Sequence, residues 1–252
     1  MRNCYFENRR RYGSRRISKA LGKTGTKIGR SKVRRLMSEA GLKAIQAKAF
    51  KPKTTNSKGT TPAPNLLANI KLEESAADKI IIGDITYIRL RGGGFCYLAV
   101  WQDKVTRRII GWSLAMEMIQ ELVISALQKA ICKGLVKAGA IIHSDRGSQY
   151  ASGGFRRLLQ QNCLRQSMSG KGNCYDNAQA ESFFSRFKAE LMEDGVFEDI
   201  EQARSEIFSY IEGYYNRVRL HSGLGYKSPL EFEMELKSKN GGNRDSFLFT
   251  FS

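Results

Sequence analysis

Histidine and proline are scarce in this chain: two of the first, His143 and His221, and four of the second. The two histidines are far apart, and the five cysteines include no C-x-x-C pair. A zinc finger of usual spacing is therefore absent. The odd cysteine count argues against a disulfide framework and for a reducing compartment. The chain has no apolar run of the roughly eighteen residues that a membrane-spanning helix needs. Its arginine-rich start has no apolar signal core. The G-x-S-x-G turn of serine hydrolases is missing. So is the full phosphate loop of ATP-binding proteins, although GKT occurs at 22–24. The expectation is a soluble intracellular protein that needs neither a nucleophilic serine nor ATP.

What is abundant is positive charge, and it is concentrated. The net charge is +18, and residues 1–71 alone carry 19 Lys and Arg against two acids, Glu7 and Glu39, a net +17. A block of that density points to nucleic acid, or else to an anionic membrane, a protein partner or a solvated basic tail. Within it, 14–22 reads as a helix beginning at Ser14 and stopping at Gly22. A second helix reads over 31–40, with Ser31 as N-cap and Gly41 as stop. Val33, Leu36, Met37 and Ala40 form an apolar stripe, leaving Lys32, Arg34 and Arg35 outside. Two short basic helices with a Gly-containing link suggest a helix-turn-helix-like unit. Three of the four prolines fall in 51–65, which reads as a linker.

Beyond the linker, strand patterns occupy 79–90, 94–102 and 106–114, the first two joined by GGG at 92–94. A helix is expected over 115–133, a fourth strand over 139–143, and a helix near 152–161. A short strand near 163–168 follows, then helices over 177–192 and 199–216. Three strands followed by alternating helix and strand mean a mixed sheet with helices on its faces. The order matches a ribonuclease-H-like α/β fold: a mixed five-stranded sheet flanked by helices, preceded by a small basic all-helical subdomain. The organisation expected is 1–50 basic helical, 51–70 linker, 71–235 core and 236–252 tail.

Three carboxylates stand out. Asp84 interrupts the strand IIIGDITYI, on a face shared with Ile80, Ile82, Thr86 and Ile88. Asp145 ends the fourth strand, where α/β sheets collect their ligand sites. Glu181 sits one turn inside a helix capped by Asp176 or Asn177, on the same face as Ser185 and Lys188. Thirty-five residues lie between Asp145 and Glu181. Each acid alone has an ordinary reading: an Asx turn for Asp84 or Asp145, a solvated helix face for Glu181. Together they would make an oxygen-ligand site for Mg²⁺ or Mn²⁺, suited to phosphoryl chemistry. His143 could ligate, act as a base or hydrogen-bond a neighbour, and the last role is favoured. Tyr214 and Tyr215 read as core packing near the phosphate contacts Arg217, Arg219 and His221.

GDITYI at 83–88, IIGW at 109–112, HSDRGSQY at 143–150, KGNCYDNAQAESFFSRFKAEL at 171–191 and YYNRVRLHSGLGYKSPLEFE at 214–233 occur in that order. In these strings the chain resembles the second-frame transposases of the IS-three family of bacterial insertion sequences, whose core is similar to that of retroviral integrases. RRRYGSRRIS at 9–18 resembles the family's basic DNA-binding helices. The resemblance implies a DDE transposase that cuts and joins double-stranded DNA at element ends and target. Asp84, Asp145 and Glu181 would hold two Mg²⁺ or Mn²⁺ ions, supported by His143 and Asn177. Lys188 would be the basic partner of the acids. Arg9, Arg10, Arg11, Arg15, Arg16, Lys32, Arg34, Arg35, Arg217 and His221 would meet DNA. A homo-multimer on DNA, a partner or fused segment from the upstream frame, and a bacterial cytoplasmic location are further implications. A non-catalytic DNA-binding regulator and a hybrid-cleaving nuclease are the competing readings.

Overall fold

The computed structural model describes residues 1–45, 62–68, 70, 77–170, 178–191 and 196–240. Three short helices come first: α1 (Arg2–Glu7), α2 (Ser14–Lys23) and α3 (Arg30–Glu39). Helix α2 begins at Ser14 as expected, with Gly13 as its N-cap, whereas the N-cap of α3 is Gly29 and not Ser31. Gly22 lies inside α2, while Gly41 ends the following segment with a left-handed φ of +65°. Tyr5, Tyr12, Ile17, Val33 and Met37 bury together, joined by Leu220 from the C-terminal half. The helical unit is thus seated on the core by apolar contact.

The sheet contains β1 (Ile80–Leu90), β2 (Gly94–Asp103), β3 (Ile109–Ala115), β4 (Ile141–Ser144), β5 (Arg165–Met168) and β6 (Val196–Phe197). Its order is β3-β2-β1-β4-β5, with β6 pairing the far end of β1. β1, β2 and β3 are antiparallel, and β4, β5 and β6 are parallel to their neighbours. The sheet has six strands, one more than expected. β6 is only two residues long, too short to leave an alternation of side chains to read.

One face carries Ile81, Ala99, Trp101 and Ile110 beneath α4 (Gln120–Cys132), α5 (Ser148–Ala151) and α6 (Gly153–Gln161). The opposite face carries Ile88, Leu98, Val100 and Ile109. It packs against α7 (Ala178–Leu191) and α8 (Ile200–Phe208), the latter continuing as a π-helix over Ser209–Tyr215. The π turn directs Tyr210, Ile211 and Tyr215 into this layer together. Helix α4 starts five residues later than expected because β3 runs on to Ala115. The last helix, α9 (Pro229–Asn240), crosses the expected tail boundary at 235/236. Leu236 is buried, and Glu233 pairs with Arg108 at 2.8 Å, so this stretch belongs to the core.

Two glycines in the quoted motifs are required by close approach. A Cβ on Gly83 would enter the ring of Trp101, and one on Gly111 would collide with the main-chain oxygen of Ala126 in α4. Gly83 therefore lets Trp101 lie over β1, and Gly111 lets α4 rest directly on β3.

Glu190, near the end of α7, ties the layers to the helical unit. Arg219 grips its carboxylate through Nη2 at 2.7 Å and Nε at 2.9 Å, and the Tyr210 hydroxyl donates at 3.0 Å. Arg11 donates from Nε to the main-chain oxygen of Glu190 at 3.1 Å. Gly111→Ala should lower unfolding free energy by about 1–3 kcal/mol, the usual cost of forcing volume into a packed core. Urea denaturation against the unaltered chain measures it, and an unchanged midpoint would show that α4 can lift off β3 freely.

Candidate active site

The sheet register brings two of the three acids together. Ile82 of β1 pairs in parallel with His143 of β4. Carried two residues further, the register sets Asp145 level with Asp84, on strand paths about 4.8 Å apart. Asp145 leaves β4 in an Asx turn, its Oδ1 accepting from the Gly147 N–H at 2.9 Å. Arg146 donates from Nε to the Ser169 main-chain oxygen at 2.9 Å and fastens this turn to the end of β5. Asp84 accepts from the Ile85 N–H at 2.9 Å.

Both carboxyls titrate high. Burial pushes Asp145 up against the Gly147 hydrogen bond. Asp84 is raised to about 8, first by burial, then by the charge of Asp145 and, more weakly, of Glu181. The Ile85 N–H and the Lys188 ammonium oppose the rise. Asp84 therefore senses both of the other acids. Glu181 itself is exposed on α7. Among the described residues, no three Asp, Glu, His or Cys side chains stand close enough to hold one metal ion. The structure joins Asp84 and Asp145 and leaves Glu181 as a neighbour within electrostatic reach. Asn177, Asp176 and Cys174 lie outside the described residues.

The donor chemistry suits a hard divalent cation, since all three groups are carboxylates. The local charge also suits one, because two adjacent acids face Lys188 as their one opposing charge among the causes of the Asp84 shift. Lys188 is half-buried, its Nζ 4.2 Å from the centroid of the Tyr87 ring. Burial lowers its pKa and Asp84 raises it. Residue types alone did not single out Tyr150, which is buried beside the acids. Its hydroxyl has no hydrogen-bond partner among the described residues, and its ionisation is opposed by burial first and then by the charges of Asp145 and Asp84.

His143 is fully buried between two serines of the β5 end. Nδ1 lies 2.8 Å from the Ser167 hydroxyl and Nε2 3.1 Å from that of Ser169. Both ring nitrogens are therefore engaged, which fits a supporting role for the Asp145 strand end better than ligation.

The basic residues divide into two groups. Arg9, Arg10, Arg15, Lys32, Arg34, Arg35 and Arg217 are exposed. Arg11 and His221 are not, and the expectation that they meet DNA is corrected. Arg11 is 6% exposed and stacks over Tyr214 with its guanidinium carbon 4.4 Å from the ring centroid. His221 is also 6% exposed and packs edge-on to Tyr215. Arg16 is half-buried and donates to the Leu220 main-chain oxygen at 2.9 Å. Sequence pattern cannot separate these arginines, because RRRYGSRR alternates no clear apolar face.

An integrase core domain family matches residues 74–174, a second integrase core family matches 162–229, and an HTH-like domain family matches 1–50. Over 230 residues the chain is 43% identical to the transposase for insertion sequence element IS904 of Lactococcus lactis subsp. lactis (strain IL1403), covering 91% of this chain and 90% of that one. It is 37% identical to transposase InsF for insertion sequence IS3A of Escherichia coli (strain K12), covering 91% of this chain and 79% of that one. A chain of the simian T-cell lymphotropic virus intasome, solved with PP2A regulatory subunit B56 gamma, shares the fold. Its TM-score is 0.50 at 15% identity, over 85% of this chain and 69% of that one.

Burial, with the charges of Arg219, Arg107 and Arg16, drives His221 down to about 2. The unfolded chain takes up a proton near 6.5 that the folded chain refuses, so stability falls as pH drops from about 6.5 towards 2. Glu190 acts in the same direction at lower pH. Burial opposes its ionisation, but the Arg219 hydrogen bonds and charge outweigh that and hold it below the ordinary value. Its contribution is present above the unfolded carboxyl value, about 4.3, and is lost as pH falls through the folded one. His221→Asn should flatten the decline of melting temperature between about pH 6.5 and 4.5. Parallel melting curves for variant and parent would show that His221 protonates freely in the folded chain.

Proposed function

We propose, for a chain that belongs to the IS3 family of insertion-sequence transposases, that Asp84, Asp145 and Glu181 form the site at which DNA strands are cut and joined. The chain is a polynucleotidyl transferase of DNA transposition and integration. The observation that supports the assignment of residues is the parallel pairing of Ile82 in β1 with His143 in β4, two positions before Asp84 and Asp145 in their chains. Helix α7, bearing Glu181 and Lys188, packs over that same face of the sheet.

As the pair stands, burial first and the charge of Asp145 second favour the protonated form of Asp84. The three carboxylates would hold divalent cations, Mg²⁺ or Mn²⁺, and we favour two. Bound there, the cations supply activation of the attacking oxygen and relief of charge on the leaving oxygen of the phosphodiester. Lys188, held over Tyr87 and drawn toward Asp84, positions a DNA phosphate against the acids. His143 locks the β4 and β5 ends together through its two serines, which keeps Asp145 in place. Residues 1–50 serve as the DNA-binding subdomain and 71–235 as the catalytic core. The exposed arginines and lysines of α2 and α3 supply sequence-independent phosphate contacts. The working assembly is a homo-multimer that synapses two element ends in the bacterial cytoplasm, with the upstream-frame product as partner or fused segment.

The test uses a duplex ending in the element terminus with Mg²⁺ or Mn²⁺. Asp84→Asn, Asp145→Asn and Glu181→Gln should each reduce nicking and joining about a thousandfold or more, since several kcal/mol of transition-state stabilisation are removed. Affinity for the duplex should hold. Full activity in all three variants would dismiss these acids. Duplex binding without turnover in the unaltered chain would favour a non-catalytic regulator.

A further inference from the structure

A second charged feature occupies the opposite flank of α7 from Glu181. It is a cleft of about 160 Å³ whose walls include Arg16, Arg107, Arg186, Arg219, Gln179 and Ser182. These residues come from α2, the β2–β3 turn, α7 and the segment after the π-helix. At 100° per residue, Gln179, Ser182 and Arg186 follow one another down a face of α7 that Glu181, Ser185 and Lys188 do not share.

The cleft carries surplus positive charge. Four guanidiniums line it, and the acid that approaches them, Glu190, is already held by Arg219 at 2.7 Å, with Arg16 at 3.9 Å. Neither Arg107 nor Arg186 has an acid partner among the described residues. The charges of Arg219, Arg107 and Arg16 also keep the neighbouring His221 neutral.

The position of Arg107 is built. Its backbone is left-handed, with φ +60°, a conformation that costs a non-glycine residue on the order of 1 kcal/mol. Gln102 holds the turn, donating from Nε2 to the Arg107 main-chain oxygen at 2.8 Å and to the Tyr215 hydroxyl at 2.9 Å. Gln179 Nε2 reaches Gln102 Oε1 at 3.2 Å, tying the turn to α7. The Arg107 guanidinium lies close to Gly223, where an added Cβ would come within 2.7 Å of Nη2. Gln102 lies two residues past Val100, the cross-strand partner of Asp84, on the same sheet face and about 7 Å along it.

We propose that this cleft grips a backbone phosphate of the DNA, separately from the carboxylates, and so fixes where the strand crosses α7. Guanidinium forks match phosphate oxygens in pairs, and the exposed Ser182 hydroxyl adds a neutral donor. The proposal rests on the transposase reading above. A strand crossing the N-terminal half of α7 meets the cleft on one flank and the acids on the other.

Fluorescence anisotropy of a labelled duplex, titrated with full-length protein over a salt series, tests this. Arg107→Gln and Arg186→Gln should each weaken binding alike for all sequences. Each should reduce the slope of log K against log salt, and the double variant, which strips both guanidiniums from the one phosphate, should reduce it by about 0.9. Arg107→Lys should restore part of the slope, since charge is kept. Arg186 is exposed, so its variant keeps the test valid even if the Arg107 change unfolds the turn. An unchanged slope in Arg186→Gln and in the double variant, with melting temperature unaltered, would overturn the proposal. Asp84→Asn should keep the full slope. Lost slope in the arginine variants beside an active Asp84→Asn would uphold the cleft and reject the acids as the reaction site.

Discussion

The buried ion pair between Glu190 and Arg219 holds the arrangement together. It joins the far end of α7 to the segment that follows the π-helix, with Tyr210 completing the hydrogen bonds. The main-chain oxygen of the same residue receives Arg11 from the helical unit. A buried pair adds little net stability over an apolar packing of equal volume, but removing one partner leaves a stranded charge. Its value here is positional. One residue anchors the helix that bears Glu181 and Lys188, the basic helices before the sheet, and the arginine cleft beside them.

The same economy governs the acids. Asp84 and Asp145 meet because β1 and β4 run parallel at one register, and a one-residue slip would turn them to opposite faces. Burial, and then the charge of Asp145, raise Asp84 to about 8, a shift that compensating positive charge would relieve. Another acid, the fully buried Asp103, shows the contrast. Its oxygens accept from the N–H groups of Asp78, Val105 and Thr106, so it shapes a turn and offers no free donor.

Much of this was legible in the residues. The strand patterns lie where the alternation puts them, because such signals are local. The integrase-like order of elements followed from the same signals. The two-residue β6 and the continuation of α9 past 235 were not legible. The first is too short for a period, and the second depends on Leu236 and Glu233 finding partners elsewhere. The arginines were the hardest to sort. Arg11 and Arg15 have the same chemistry and lie four residues apart, yet one stacks on Tyr214 and the other faces solvent.

By itself the sequence determined the kinds of group available: hard oxygen donors on two strands and a helix, and an excess of guanidinium and ammonium ahead of them. These follow from composition and short-range periodicity, which need no partner in space. Only the tertiary structure decided which groups are spent inside and which remain for a ligand. That choice depends on contacts between segments up to about two hundred positions apart, such as Tyr12 with Leu220 and Arg11 with Glu190. Burial and pairing set the charge state and reach of each side chain, and both arise only when distant segments pack.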